Sequence, residues 1–108
     1  MRVLFDQGTP LGIRNSLQAH SVRTAYEEGW STLSNGELLG AAEDAGFEVF
    51  VTTDKNLVYQ QNLASRKIAI VVLGLSRWRF IHPILPRIAK AIDEARPGTY
   101  KLITVPEE

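Results

Sequence analysis

The chain has no cysteine. That excludes disulfides, zinc–thiolate sites and thiol catalysis, and it fits a reducing cytoplasm. There is no surplus of charge either. Twelve basic and 12 acidic residues cancel, so no global field draws the protein to nucleic acid or to an anionic membrane. Contact with RNA or DNA then needs a local patch. Long apolar runs are also missing. The longest, Ile68 to Leu75, falls far short of the roughly 20 residues that cross a bilayer, so no membrane partner is expected. Asp6 interrupts the first apolar run almost at once, which does not read as a signal peptide. No Gly-x-Gly-x-x-Gly or phosphate-binding loop occurs, and Gly8 and Gly12 do not fit that spacing. Histidine is scarce: His20 and His82 have no second histidine or acid at metal-ligand spacing and read as structural or solvated. Without repeats, linkers or low-complexity segments, the 108 residues read as one soluble domain, 1–108.

What is present is a regular alternation of strand and helix signals. Arg2 to Phe5 is a short strand. Thr9 can cap a short helix in which Pro10 takes the first position and Leu11, Ile13, Leu17 and Ala19 form the apolar face. His20 to Ala25 is a weaker strand, and Tyr26 to Leu33 is a loop in which Trp30 needs a pocket. Ser34-x-x-Glu37 has the pattern of a capping box, followed by a stripe of Leu38, Ala41, Ala42 and Ala45 and ended by Gly46. Phe47 to Thr53 is a strand whose run from Val49 is buried on both faces, with a short helix after it around Leu57 to Leu63. Lys67 to Gly74 is a second such strand. A loop from Leu75 to His82 then leads to a helix starting at Pro83, with Ile84, Leu85, Ile88 and Ile92 on one face, that must end before Pro97. Tyr100 to Val105 is a half-polar edge strand closed by Pro106. The expected fold is a single-domain three-layer α/β/α sandwich around a mostly parallel sheet of about five strands.

Parallel connectivity puts the carboxyl ends of the strands on one edge, where open α/β sheets bind ligands. Asp6 ends the first strand and Asp54 the third. Glu37 lines up with Ala41 and Ala45, on a helix that starts near the same edge. Three converging carboxylates would repel one another unless a cation joined them, and Mg²⁺ or Mn²⁺ suits oxygen ligands. The plainer account is that Asp6 and Asp54 cap the turns after them, and that the capping box alone explains Glu37.

Asp6-Gln-Gly-Thr-Pro10, Asn35-Gly-Glu-Leu-Leu39 and Val51-Thr-Thr-Asp-Lys-Asn56 resemble the PIN-like group of small bacterial proteins related to the Mut7-C domain, the DUF5615 group. The resemblance covers nearly the whole chain. It implies a parallel α/β fold whose acidic cluster binds Mg²⁺ or Mn²⁺ and hydrolyses RNA phosphodiesters, and many such proteins are toxins held by an antitoxin. It makes Asp6, Glu37 and Asp54 the catalytic and metal-binding residues. Relatives often carry glutamate where this chain has Gln7, and a second aspartate where it has Asn56. With fewer charges, a degenerate module that binds without cleaving is the alternative.

Asn56, close to Asp54, is expected to contact substrate. Ser65 to Lys67 and Ser76-Arg-Trp-Arg-Phe80 supply local basic and aromatic groups. Arg77 and Arg79 could grip phosphate beside a stacking Trp78. The plainer account tucks Trp78 or Phe80 into the core or a homodimer contact, with the arginines in solvent. Tyr59 to Asn62 reads as polar helix surface. A receiver-like phosphoacceptor domain is a further class. Against it stand Gln7, where an acidic pair would continue, and Lys101, which lies near the start of the last strand rather than after it.

Overall fold

The computed structural model describes residues 1–57, 65–74 and 77–104. Five strands lie side by side: β1 (Arg2–Phe5), β2 (Ser21–Thr24), β3 (Val49–Thr52), β4 (Ala69–Leu73) and β5 (Tyr100–Ile103). Their order is β2-β1-β3-β4-β5 and every pairing is parallel. The continuous apolar runs take the centre, because only strands covered on both faces can bury every side chain. All residues of β3 and β4 are buried, as are Val3, Leu4 and Phe5 of β1. The half-polar strands take the edges. In β5 only Ile103 is buried, and the strand stops short of Val105, which with Pro106 lies outside the described residues.

Helices cover both faces. One layer is α1 (Asn35–Asp44), which packs Leu38, Leu39 and Ala42 with Phe47, Phe50, Ile68 and Ile70. The expected stripe shifts by one residue: Leu39 is buried while Ala41 and Ala45 are only partly covered. The larger side chain takes the sheet-facing position, since burying Leu removes more apolar area from water than burying Ala. Ser34 and Glu37 form the anticipated capping box, and Gly46, at φ +84°, closes the helix. In the loop before it, Trp30 finds its pocket edge-to-face on Phe47, with centroids 6.0 Å apart.

The opposite layer holds a 3₁₀ helix (Leu11–Ser16), α2 (Trp78–Ile81), a 3₁₀ turn (His82–Ile84) and α3 (Leu85–Asp93). The segment expected to be a loop before Pro83 is therefore helical from Trp78, and Ile81, Ile84, Ile88 and Ile92 form one buried row. Leu85 joins that row only partly. The first helix also differs from expectation. Residues two apart do not share one face of a helix: Ile13 is buried, with Leu17 just beyond the helix, whereas Leu11 and Ala19 face outward. Apart from buried Leu57, the helix expected from Leu57 to Leu63 lies outside the described residues, as do Tyr59 to Asn62. Among the described residues no helix is long and apolar enough to cross a membrane. The architecture is a single-domain, three-layer α/β/α fold.

Candidate functional site at the carboxyl edge of the sheet

In this strand order the chain passes from β1 to one neighbour and returns to the other, so the β1/β3 boundary is the switch point where a doubly wound sheet opens a crevice. Asp6 follows β1 directly and Asp54 lies two residues beyond β3. They flank that boundary. The Asp6 amide continues the ladder by donating to Val51 O at 2.9 Å, which fixes the height at which its carboxylate leaves the sheet.

Thr52 joins the two aspartates. It is fully buried. Its hydroxyl donates to Asp6 Oδ2 at 2.7 Å and accepts from the Asp54 amide at 3.1 Å. The Asp6 carboxylate is thus within two hydrogen bonds of the Asp54 backbone. The other oxygens are also held. Asp6 Oδ1 accepts from the Gln7 amide at 2.7 Å, Asp54 Oδ1 from the Asn56 amide at 2.9 Å, and Asp54 Oδ2 from Asn35 Nδ2 at 3.2 Å. Each oxygen therefore accepts one bond from an uncharged donor and keeps a lone pair for another. Among the described residues neither aspartate joins an ion pair; the pairs there are Arg14–Glu27, His20–Asp93, Arg23–Glu28 and Arg66–Glu43. Gly8 permits the tight passage of the chain past β3, because a Cβ there would sit 2.8 Å from Thr53 Oγ1.

The turn-capping account of the aspartates is partly met: Asp54 forms an Asx turn with Asn56 and receives Leu57 N on its carbonyl at 3.3 Å. Glu37 stands apart from the pair. Its carboxylate turns back on its own helix start, accepting from Ser34 N at 3.1 Å and Ser34 Oγ at 2.8 Å. The Ser34 amide, and after it the hydroxyl, hold that carboxyl below its ordinary range against a small opposing effect of burial. Among the described residues no three His, Cys, Asp or Glu side chains form a metal-binding group. The arrangement is a pair of carboxylates, with the capped glutamate two residues after the Asn35 that bonds Asp54. Two hard oxygen donors with spare lone pairs and no cationic partner still fit Mg²⁺ or Mn²⁺, since Mg²⁺ commonly takes only one or two carboxylates and completes its shell with water and substrate phosphate.

The basic and aromatic candidates separate. Arg77, just before α2, and Arg79, on it, are both exposed, Arg79 lying 5.0 Å from the Phe80 ring centroid. Trp78, 41 % exposed, lies over Gly12 and meets His82 edge-to-face at 5.6 Å. Of the Ser65–Lys67 patch, Arg66 bonds Glu43 at 2.7 Å and the Lys67 amide bonds the same carboxylate. Burial is the largest single influence on Glu43 and pushes its carboxyl up, but these hydrogen bonds together outweigh it and bring it below its ordinary value. His20 is structural, its ring between Asp93 Oδ1 and the amino terminus.

No family model, curated protein or solved structure matches the chain. The site is therefore read from its own geometry. Three of its features escaped the sequence reading. Thr52 looked like one more β-branched strand residue, and Asn35 like part of a helix start. The third is an open pocket of about 440 Å³ beside Asp6, bounded by Leu11, Arg14, Tyr26 and Glu27 among others. Arg14 and Glu27 pair at 2.6 Å across this pocket's lining. Thr24 and Glu27 also exchange bonds, Thr24 N to Glu27 Oε1 at 2.9 Å and Glu27 N to Thr24 Oγ1 at 3.0 Å. The Thr24 amide first, then Arg14, keep the Glu27 carboxyl below its ordinary range.

Proposed function

We propose that this chain is a metal-dependent ribonuclease of PIN type that cleaves single-stranded RNA at the Asp6–Asp54 edge. One observation carries the reading: two carboxylates at the switch point, tied together by Thr52 and without a cationic partner among the described residues. Asp6 and Asp54 would hold Mg²⁺ or Mn²⁺ through their remaining lone pairs. The bound ion supplies an acidified water and neutralises charge on phosphate oxygens. The chain's own contribution is positional. Thr52 fixes the Asp6 carboxylate and the Asp54 backbone together, and Asn35 steadies the oxygen of Asp54 that Asn56 does not reach. The exposed Asn56, Arg77 and Arg79 are available to an extended strand. A neutral protein has little charge with which to hold a duplex, which favours flexible RNA.

The test is purified protein with a labelled RNA pool in Mn²⁺, beside Asp6→Asn and Asp54→Asn. Cleavage that stops with EDTA and disappears in both variants supports the reading. Cleavage unchanged in both variants would be contamination, and metal binding without cleavage would leave the degenerate binding module.

The strand order favours a second reading, because 2-1-3-4-5 is also the order of receiver-like phosphoacceptor folds. Asp54 would then accept a phosphoryl group. Lys101 lies second in β5 rather than after it, which argues against this. Intact-mass measurement after acetyl phosphate treatment decides: a phosphoryl adduct lost in Asp54→Asn establishes the receiver reading.

A further inference from the structure

The pocket beside Asp6 has a composition that the proposed metal edge does not explain. Tyr26 is 77 % exposed and Leu11 60 % exposed, and both belong to its walls. Two large side chains on one lining thus leave apolar surface open to a ligand. At about 440 Å³ the pocket falls within the range that holds small ligands, roughly 300–1,000 Å³. That is a space for one flat chemical group, not for a helix or a strand.

The charges narrow the choice. Asp6 and Glu27 are acids and Arg14 is the one base on this lining, already paired with Glu27. A phosphate group would meet a net negative wall. A neutral planar group would not. An exposed tyrosine ring with an apolar neighbour on the same lining suits the face of an aromatic heterocycle.

We infer that this pocket is a subsite for one unpaired nucleobase of single-stranded RNA, stacked on Tyr26 beside Leu11 and Arg14. The inference rests on the nuclease reading for its choice of ligand. Asp6 belongs both to the pocket and to the carboxylate pair, so a base held here places an adjoining phosphate at the Asp6–Asp54 edge. The negative wall then keeps backbone phosphate out of the pocket, and the nucleotide enters base first.

The experiment uses the full chain, ¹⁵N-labelled, in EDTA, titrated with a short single-stranded oligouridylate. Amide shifts should concentrate at residues 11–14 and 24–27. Affinity should fall about tenfold in Tyr26→Ala, the range for losing one stacked base, and persist in Tyr26→Phe, which keeps the ring. Unchanged affinity in Tyr26→Ala, or shifts confined to other parts of the chain, overturns the subsite. Shifts at the same amides that depend on protein concentration without RNA assign the patch to a second copy and also overturn it. The two readings fail separately. Binding at these amides with no cleavage in Mn²⁺ keeps the subsite and removes the nuclease, whereas cleavage indifferent to Tyr26→Ala keeps the nuclease and removes the subsite.

Discussion

Replacing Thr52 by valine removes one oxygen from the centre of the site and leaves its shape almost unchanged. In the native chain that oxygen serves two groups, Asp6 Oδ2 at 2.7 Å and the Asp54 amide at 3.1 Å. Valine leaves the amide without its acceptor and the carboxylate without one of its donors. A buried donor left unpaired costs about 1–3 kcal/mol. Because both aspartates are only half-buried, water recovers part of this, so the expected loss is about 2 kcal/mol. For a chain of this length that lowers Tm by roughly 8 °C. Valine is at least as good a strand former as threonine, so propensity cannot be the source of such a loss. Thr52→Ser is the control. It keeps the hydroxyl and deletes one buried methyl, a loss of about 1 kcal/mol. Thermal melts of both variants, with and without Mn²⁺, are the assay. The expected order of stability is wild type, then serine, then valine, with metal response retained in serine and weakened in valine. A valine variant as stable as wild type would refute the bridge.

Other predictions follow from the same geometry. Glu37→Gln should leave metal-free stability within about 0.5 kcal/mol, because glutamine still completes a capping box; a fall in Mn²⁺ affinity measured on the same variant would bring Glu37 into the site. Acid stability should be governed by Glu27, Glu37 and Glu43, whose carboxyls lie below the ordinary 4.5 in the folded chain. Depressed carboxyls stabilise the fold above their unfolded value and lose that contribution as pH falls through the folded one. Urea midpoints should therefore hold steady down to about pH 5 and decline below it, less steeply in Glu43→Gln than in wild type.

The fold was largely legible because it is written in local patterns. Two short, continuous apolar runs rich in β-branched residues read as central parallel strands, and Ser34, Glu37 and Gly46 mark both ends of α1 by chemistry that acts within a few residues. Misreadings occurred where the local signal is short. Leu11 and Ile13, two residues apart, cannot share one helix face, and the Trp78–Ile81 turn carries no capping side chain to announce it. At the site, Asp6 and Asp54 could be placed on one edge from topology alone. Their connection could not, since it depends on which way the Thr52 hydroxyl points between two strands that are far apart in sequence. Glu37 illustrates the opposite limit: one carboxylate satisfied two patterns, and the nearer partner, Ser34, holds it. The Arg14–Glu27 pair needs the 3₁₀ helix and the turn after β2 to meet, and no periodic signal in either segment predicts that.

The central claim is that Asp6 and Asp54 share a single cation site, and titration calorimetry with Mn²⁺ tests it most directly. The wild-type chain should bind the ion with a measurable heat and melt at higher temperature in its presence, by mass action on the folded state. Asp6→Asn and Asp54→Asn should each remove both the heat and the added stability while remaining folded without metal. No binding by the wild-type chain at millimolar Mn²⁺, or binding that survives both substitutions, would contradict the account.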